Sequence, residues 1–273
     1  MSQSKSHIGK VILAGAGPGD PELVTVKTLR YLKEADVVIT DRLVSPELFH
    51  GNIKEGAIVI DVGKHGGSRE RSTSQQKINE LLVEYALQGK LVLRLKGGDV
   101  SFFSNILDEL EMLTRNHVPY EIIPGVTAGS GAAAYAGIPL TARGYSTSVR
   151  FLTCYNSEDI ANEQWQDLAT TDDTLVFYMT SGVLKSVVSH LLDQGISNDK
   201  ELAVIEQATT PLQKVHVFKL DEFVSGVDGS FASPTMVIIG RVVALHEQFK
   251  WLENGLSTDN YFTPLTNLSA TEN

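Results

Sequence analysis

The residues best suited to chemistry stand in five short stretches: Gly15-Ala16-Gly17-Pro18-Gly19-Asp20-Pro21, Thr40-Asp41-Arg42-Leu43, Gly63-Lys64-His65-Gly66-Gly67, Lys96-Gly97-Gly98-Asp99 and Pro124-Gly125-Val126-Thr127. Carboxylates, cations and backbone left bare by glycine can hold a small ligand and move a proton or neutralise charge on it. The first stretch invites a dinucleotide reading, but that fingerprint requires a third glycine where Asp20 stands, and Pro18 and Pro21 have no amide to offer a phosphate. What remains is a stiff turn, either open to a ligand or simply tight. His65 lacks a second ligand at a metal-binding spacing, and the single cysteine, Cys154, excludes a cysteine cluster, so no metal is expected.

These stretches are positioned by a repeating pattern. Apolar, β-rich runs at 11–14, 37–39, 57–62, 91–95 and 120–123 alternate with segments of helical spacing, such as 22–35 and 73–88. Strand and helix in alternation predict an α/β fold with a largely parallel sheet, whose ligands sit beyond the carboxyl ends of the strands. All five stretches fall at such ends. Runs at 149–153, 174–178, 202–206, 215–220 and 234–240, some joined by short turns, predict a second α/β domain that is mixed or antiparallel. The expected domains are 1–145 and 146–252, followed by a mobile tail at 253–273. Between them, 127–137 is made almost wholly of small residues. It reads equally as a tightly packed core helix or as a ligand contact.

A net charge of −10 over 273 residues argues against nucleic-acid or membrane-surface binding, although a local basic cleft remains compatible with it. No apolar run reaches the ~18 residues of a membrane span and no signal segment opens the chain, so a cytoplasmic location is expected.

Taken in order and spacing, the five stretches, together with Ala133-Ala-Tyr-Ala-Gly-Ile-Pro-Leu-Thr141, Val176-Phe-Tyr-Met179 and Val237-Ile-Ile-Gly-Arg-Val-Val243, resemble the tetrapyrrole methylase family from about residue 9 to 251. Among its members the chain is most similar to those acting on uroporphyrinogen III. The resemblance implies two α/β domains with S-adenosylmethionine (SAM) in a cleft between them, a homodimer, and C-methylation of uroporphyrinogen III at C2 and C7 to give precorrin-2. By position it assigns Pro18, Gly97, Gly98, Asp99, Phe102, Thr127, Ala128, Met179 and Ala208 to the cofactor, and Asp41 and Lys64 to acid/base roles. Ala208 stands where relatives carry a glycine, and can keep the backbone contact only with a negative φ. The plainer alternatives are a strand-end ion pair of Asp41 with Arg42, and a solvated loop cation for Lys64.

A substrate with eight carboxylates requires local cations. Candidates are Arg42, Lys64, His65, Arg69, Arg71, Lys96, Arg143 and Arg150, with Asn105 and Asp108 as further substrate contacts. The chain departs from the family pattern after Asp99: Val100 replaces a proline, Asn105 an arginine and Ile106-Leu107 two glycines. Lys64 or Arg42 is the expected substitute for the missing arginine. Two other readings stay open, namely another methylase of this fold and a noncatalytic tetrapyrrole- or SAM-binding protein. The short segment before Gly9 also leads to the expectation that no dehydrogenase-chelatase module precedes this domain.

Overall fold

The computed structural model describes residues 7–63, 73–227, 230–263 and 265. The chain divides into two units, Met1–Thr127 with Phe262–Asn273, and Ala128–Tyr261.

The first unit contains β1 (Lys10–Gly15), α1 (Val26–Glu34), β2 (Val37–Thr40), β3 (Ile58–Asp61), α2 (Gln75–Leu87), β4 (Leu91–Lys96), α3 (Ile106–Arg115) and β5 (Tyr120–Ile123). Its strands lie in the order β3-β2-β4-β1-β5, all parallel. Val37, Val38 and Ile39 are wholly buried, as a central parallel strand covered on both faces requires. On one face Val11, Leu13 and Ile39 pack with Ile78 and Leu82 of α2 and Leu113 of α3. On the other Ile12, Val38 and Leu93 pack with Leu32 of α1 and with Phe49. Each such side chain contributes about 1.5–3 kcal/mol relative to exposure. The first helix starts later than its spacing predicts. Asp20 instead caps a short 3-10 turn, Pro21–Leu23, by accepting from the Glu22 amide, and Thr25 then caps α1. Asp20 thus has a structural use at the position where a nucleotide fingerprint needs glycine.

The chain leaves β1 toward β2 on one side and leaves β4 toward β5 on the other. Adjacent β1 and β4 therefore mark the reversal of strand order, the place where such sheets open a crevice.

The second unit contains α4 (Ala128–Tyr135), β6 (Val149–Thr153), α5 (Asn162–Thr170), β7 (Thr174–Tyr178), α6 (Leu184–Asp193), β8 (Glu201–Glu206), β9 (Lys214–Lys219), α7 (Leu220–Gly226), β10 (Thr235–Gly240) and α8 (His246–Phe249). The order is β6-β7-β10-β8-β9, with β6 and β7 parallel and the other pairs antiparallel. The mixed second sheet is as the short turns predict. Helices α5, α6 and α7 bury one face, with Trp165, Val188 and Phe223 in its core, and α4 packs on the other.

The unit boundary falls at Thr127, ahead of the expected 145, because α4 belongs to the second sheet. Ala132 and Ala133 pack with Val176, Tyr178 and Ile238. The Gly129 amide donates to the Tyr178 hydroxyl at 2.9 Å, where a Cβ on Gly129 would lie 2.6 Å from that oxygen. For this face of the small-residue helix the core reading is the right one. Its other face, with Ser130 and Ala134, lines a groove with Pro139, Leu140 and Phe249.

The expected tail is tied down as far as it is described. Asn254 bonds the Val215 amide, Gly255 the Gln213 carbonyl and Tyr261 the Gln207 side chain, and Phe262 is buried. Among the described residues no helix is long and apolar enough to cross a membrane.

Candidate active site

The loops after β1, β4 and β5 are fastened into one rim. Gly17 and Gly98 form an antiparallel bridge, with N–H to O distances of 3.2 and 2.7 Å. Both have left-handed φ, 82° and 70°, which glycine adopts without steric cost. A Cβ on Gly125 would lie 2.4 Å from the Gly98 oxygen, and one on Gly15 2.7 Å from the Gly125 Cα. These glycines exist at least as much to let three loops touch as to bare backbone to a ligand.

Two carboxylates complete the rim. Asp99, 6% exposed, accepts from the Gly125 amide through Oδ2 and from the Ser101 amide through Oδ1, each at 2.7 Å. Each oxygen thus holds one backbone amide, so Asp99 shapes the loop, and each keeps further acceptor capacity. Asp41, at the end of β2, accepts from the Leu43 amide at 3.0 Å and from the Gly97 amide at 3.3 Å. Among the described residues no Asp41–Arg42 ion pair forms, so the plain reading of Asp41 as half of such a pair does not describe it. Asp41 remains half-buried, close to the rim and able to accept a proton.

Behind Asp41 lies a group the sequence reading only partly foresaw. Arg94 and Lys96 point to the same face of β4, the face covered by α2 and α3. Arg94 Nε and Lys96 Nζ both bond Glu109 Oε1 of α3, at 3.1 and 3.0 Å, and all three side chains are buried. Glu109 Oε2 has no partner among the described residues. Burial, aided by the charge of Arg94 and opposed by Glu109, holds Lys96 below its ordinary pKa. Arg94 also opens into a cavity of about 500 Å³ lined by Asp41, Arg42, Gln75 and Asn105. The signal that could have found Arg94 is a charge in the middle of an apolar strand, two residues before a second one.

Asn105 has left-handed φ, 53°, at the N-cap of α3 and makes no side-chain cap bond. Asp108 is exposed on the first turn of that helix. Val100, in place of the family's proline, is fully buried. Phe102 is 38% exposed beside Phe103, whereas Pro18 is buried. Thr127 and Ala128 are half-buried at the junction of the units. Lys64, His65, Arg69 and Arg71 lie outside the described residues.

In the second unit, Met179 and Ala208 leave the same end of the sheet, since β7 and β8 both run antiparallel to β10. Met179 has left-handed φ, 56°, and its sulfur accepts from the Tyr155 hydroxyl. Gln207 and Thr209 are left-handed too, at 45° and 66°, but Ala208 between them is not, so the alanine meets the condition set for it. Non-glycine residues in this region cost about 1–3 kcal/mol each and concentrate at functional sites. Arg143 is exposed in a turn closed by the Ala142–Ser146 bridge. Arg150 is engaged on the protein itself: its guanidinium bonds Asp167 and Asp173, which hold its pKa up, and Thr171.

Comparison with known proteins bears on the fold and the family. Residues 10–224 match the family model of the tetrapyrrole (corrin/porphyrin) methylases. The siroheme synthase of Saccharophagus degradans is 44% identical over 251 residues, which are 92% of this chain and 54% of that protein. The chain thus spans about half the length of the curated relatives it matches. Among solved structures, the uroporphyrin-III C-methyltransferase of Thermus thermophilus complexed with S-adenosyl homocysteine is 33% identical, with a TM-score of 0.70 over 86% of this chain and 93% of that one. A cobalt-precorrin-4 methyltransferase is 29% identical, with a TM-score of 0.73 over 86% of this chain and 95% of that one. From the family match and these identities, this chain belongs to the tetrapyrrole (corrin/porphyrin) methylases, a family of methyltransferases.

Proposed function

We propose that the protein is a SAM-dependent C-methyltransferase that methylates uroporphyrinogen III at C2 and C7, giving precorrin-2. The observation that carries this reading is the placement of Asp41 on the glycine rim at the strand-order reversal, next to a cavity floored by a buried arginine. The Thermus relative crystallised with S-adenosyl homocysteine supports it.

The residues present suit such a cofactor. Exposed Phe102 and Met179 offer apolar and thioether surface to an adenosyl group or sulfur, and the non-left-handed Ala208 keeps its backbone free of the strain its neighbours carry. For the cofactor we assign Gly97, Gly98, Asp99, Phe102, Thr127, Ala128, Met179 and Ala208, with Pro18 as buried support. SAM supplies a methyl group on a sulfonium leaving group, so the protein has to align the acceptor carbon and take up a proton from the alkylated ring. Asp41 is assigned as the proton acceptor, held in place by the Leu43 and Gly97 amides. Lys64 keeps its assignment of neutralising charge on the substrate from the sequence alone. Arg42, Asn105, Asp108 and Arg143 are assigned to the substrate, and a homodimer in the cytoplasm without a resident metal completes the proposal.

The test is incubation with uroporphyrinogen III and labelled SAM, with the product identified by its spectrum. Formation of precorrin-2, lost about 10²–10⁴-fold in Asp41→Asn with S-adenosyl homocysteine binding retained, is the expected result. Methyl transfer only to later corrinoid precursors would favour the second reading, to which the cobalt-precorrin-4 methyltransferase likeness points. Ligand binding without any transfer would indicate a noncatalytic protein.

A further inference from the structure

The described lining of the cavity behind Asp41 lies in the first unit and carries two arginines, Arg42 and Arg94, against the carboxylate of Asp41. Arg94, 4% exposed, has Nε on Glu109 and Nη1 on the carbonyls of Leu95 and Ile39, at 2.8 and 3.4 Å. Its Nη2 has no protein partner among the described residues and is not one of the buried orphan atoms, so it is accessible at the cavity. The N-termini of two full helices meet the same space. Ser74 and Gln75 open α2, and Asn105 caps α3 without using its side chain there. Helix N-termini present free amides and positive potential. Arg94 and Lys96 share the carboxylate of Glu109, and the Asp41 charge also acts on Lys96, so these four groups balance and Arg42 adds a positive charge to the cavity wall. The acid among the described lining residues, Asp41, keeps its negative charge while it accepts from the Leu43 and Gly97 amides. Asp108 is exposed and outside the lining.

We propose that this cavity is an anion subsite that receives one carboxylate side arm of the substrate, with Arg94 Nη2 as its anchor and the first turn of α2 and the α3 cap residue Asn105 in its walls. It rests on the reading of the substrate as a tetrapyrrole polyacid. Glu109 and Lys96 are positioning residues that fix the guanidinium from behind. Arg94, rather than Arg42 or Lys64 alone, is then the cation that compensates for the uncharged Asn105. A side arm held here places its ring beside Asp41, the proposed proton acceptor.

The experiment compares wild type with Arg94→Gln, Arg94→Lys and Ser74→Asp. Readouts are KM and kcat for uroporphyrinogen III, equilibrium binding of the oxidised octa-acid porphyrin, S-adenosyl homocysteine binding and thermal stability. Arg94→Gln is expected to raise KM and the porphyrin dissociation constant about ten- to a hundredfold, with kcat and S-adenosyl homocysteine binding little changed. Arg94→Lys should restore part of that loss. Ser74→Asp guards against misfolding of the Arg94 variants, since aspartate caps a helix as well as serine while bringing a competing carboxylate to the cavity wall. It should raise KM several-fold at unchanged melting temperature.

A porphyrin affinity unchanged in a folded Arg94 variant and in Ser74→Asp would overturn the subsite. So would acetate stabilising wild type but not Arg94→Gln while porphyrin affinity stays the same, which would assign the cavity to a free acid. If wild type transfers no methyl yet binds the porphyrin in an Arg94-dependent way, the subsite stands and the methyltransferase reading falls. If wild type does not bind the porphyrin at all, both fall.

Discussion

Two kinds of charged cluster occur in this protein, and they differ in how completely they are satisfied. On the surface of the second unit, Arg150 is shared by Asp167 and Asp173, and on the first unit Glu121 collects Lys10, Lys27 and the Tyr31 hydroxyl. In each, the central group meets several partners on the protein itself. The Arg94–Lys96–Glu109 cluster is buried, carries two cations on one carboxylate and leaves Glu109 Oε2 without a partner among the described residues. Solvent makes the first kind cheap and nearly dispensable, while burial makes the second expensive and therefore informative. Buried charges beside a cavity are the ones whose partners decide most.

The largest expected effect breaks the buried cluster. Glu109→Ala strands two cations in the interior, so denaturant unfolding should show a loss of about 3–5 kcal/mol. Asp99 is an intermediate case, a buried carboxylate satisfied by backbone amides. Asp99→Asn should lose about 1.5–3 kcal/mol at most, and S-adenosyl homocysteine affinity should fall with it as the rim loosens. A smaller effect is expected at the surface. Arg150→Ala should cost no more than about 1 kcal/mol and leave KM for uroporphyrinogen III unaltered, and a raised KM would return Arg150 to the substrate set.

The smallest effect depends on pH. Hydrogen bonds from Lys10, Lys27 and Tyr31 hold Glu121 at a pKa of about 2, against 4.5 for the free group. Because the folded value is the lower one, its contribution is complete above about pH 4.5 and is lost as pH falls toward 2. Melting curves of wild type and Glu121→Gln should differ slightly at pH 6, approach one another below pH 4.5 and converge as the pH reaches about 2. Persistence of the gap in acid would show that the cluster acts through packing rather than charge.

The strands of both sheets were legible because β-branched runs flanked by glycine and charge leave few other structures open. The five loops at strand ends were legible for the same reason, as were Asp41 and the glycines of the rim. The boundary at Thr127 was not, because a helix of glycine and alanine carries no mark of which sheet will bury it. The partners of Arg150 were not legible, because Asp173 lies twenty-three residues away and meets it only where β6 pairs with β7. The stretch after Trp251 reads as a loose polar tail, since bonds from Asn254 to β9 and from Gln207 to Tyr261 leave no pattern in composition.

Composition and order of motifs determined the class of fold, the end of the first sheet that carries the glycine loops, and the family, since these depend on local propensity and on short strings that fold where they stand. Tertiary structure alone decided which charges are spent and which are left over. Arg94, Lys96 and Glu109 are separated by a loop and a helix turn, and their burial, shared oxygen and adjoining cavity arise only once α3 is laid across β4. A side chain's worth depends on its dielectric surroundings and on competing partners, and neither can be read from the chain before it folds.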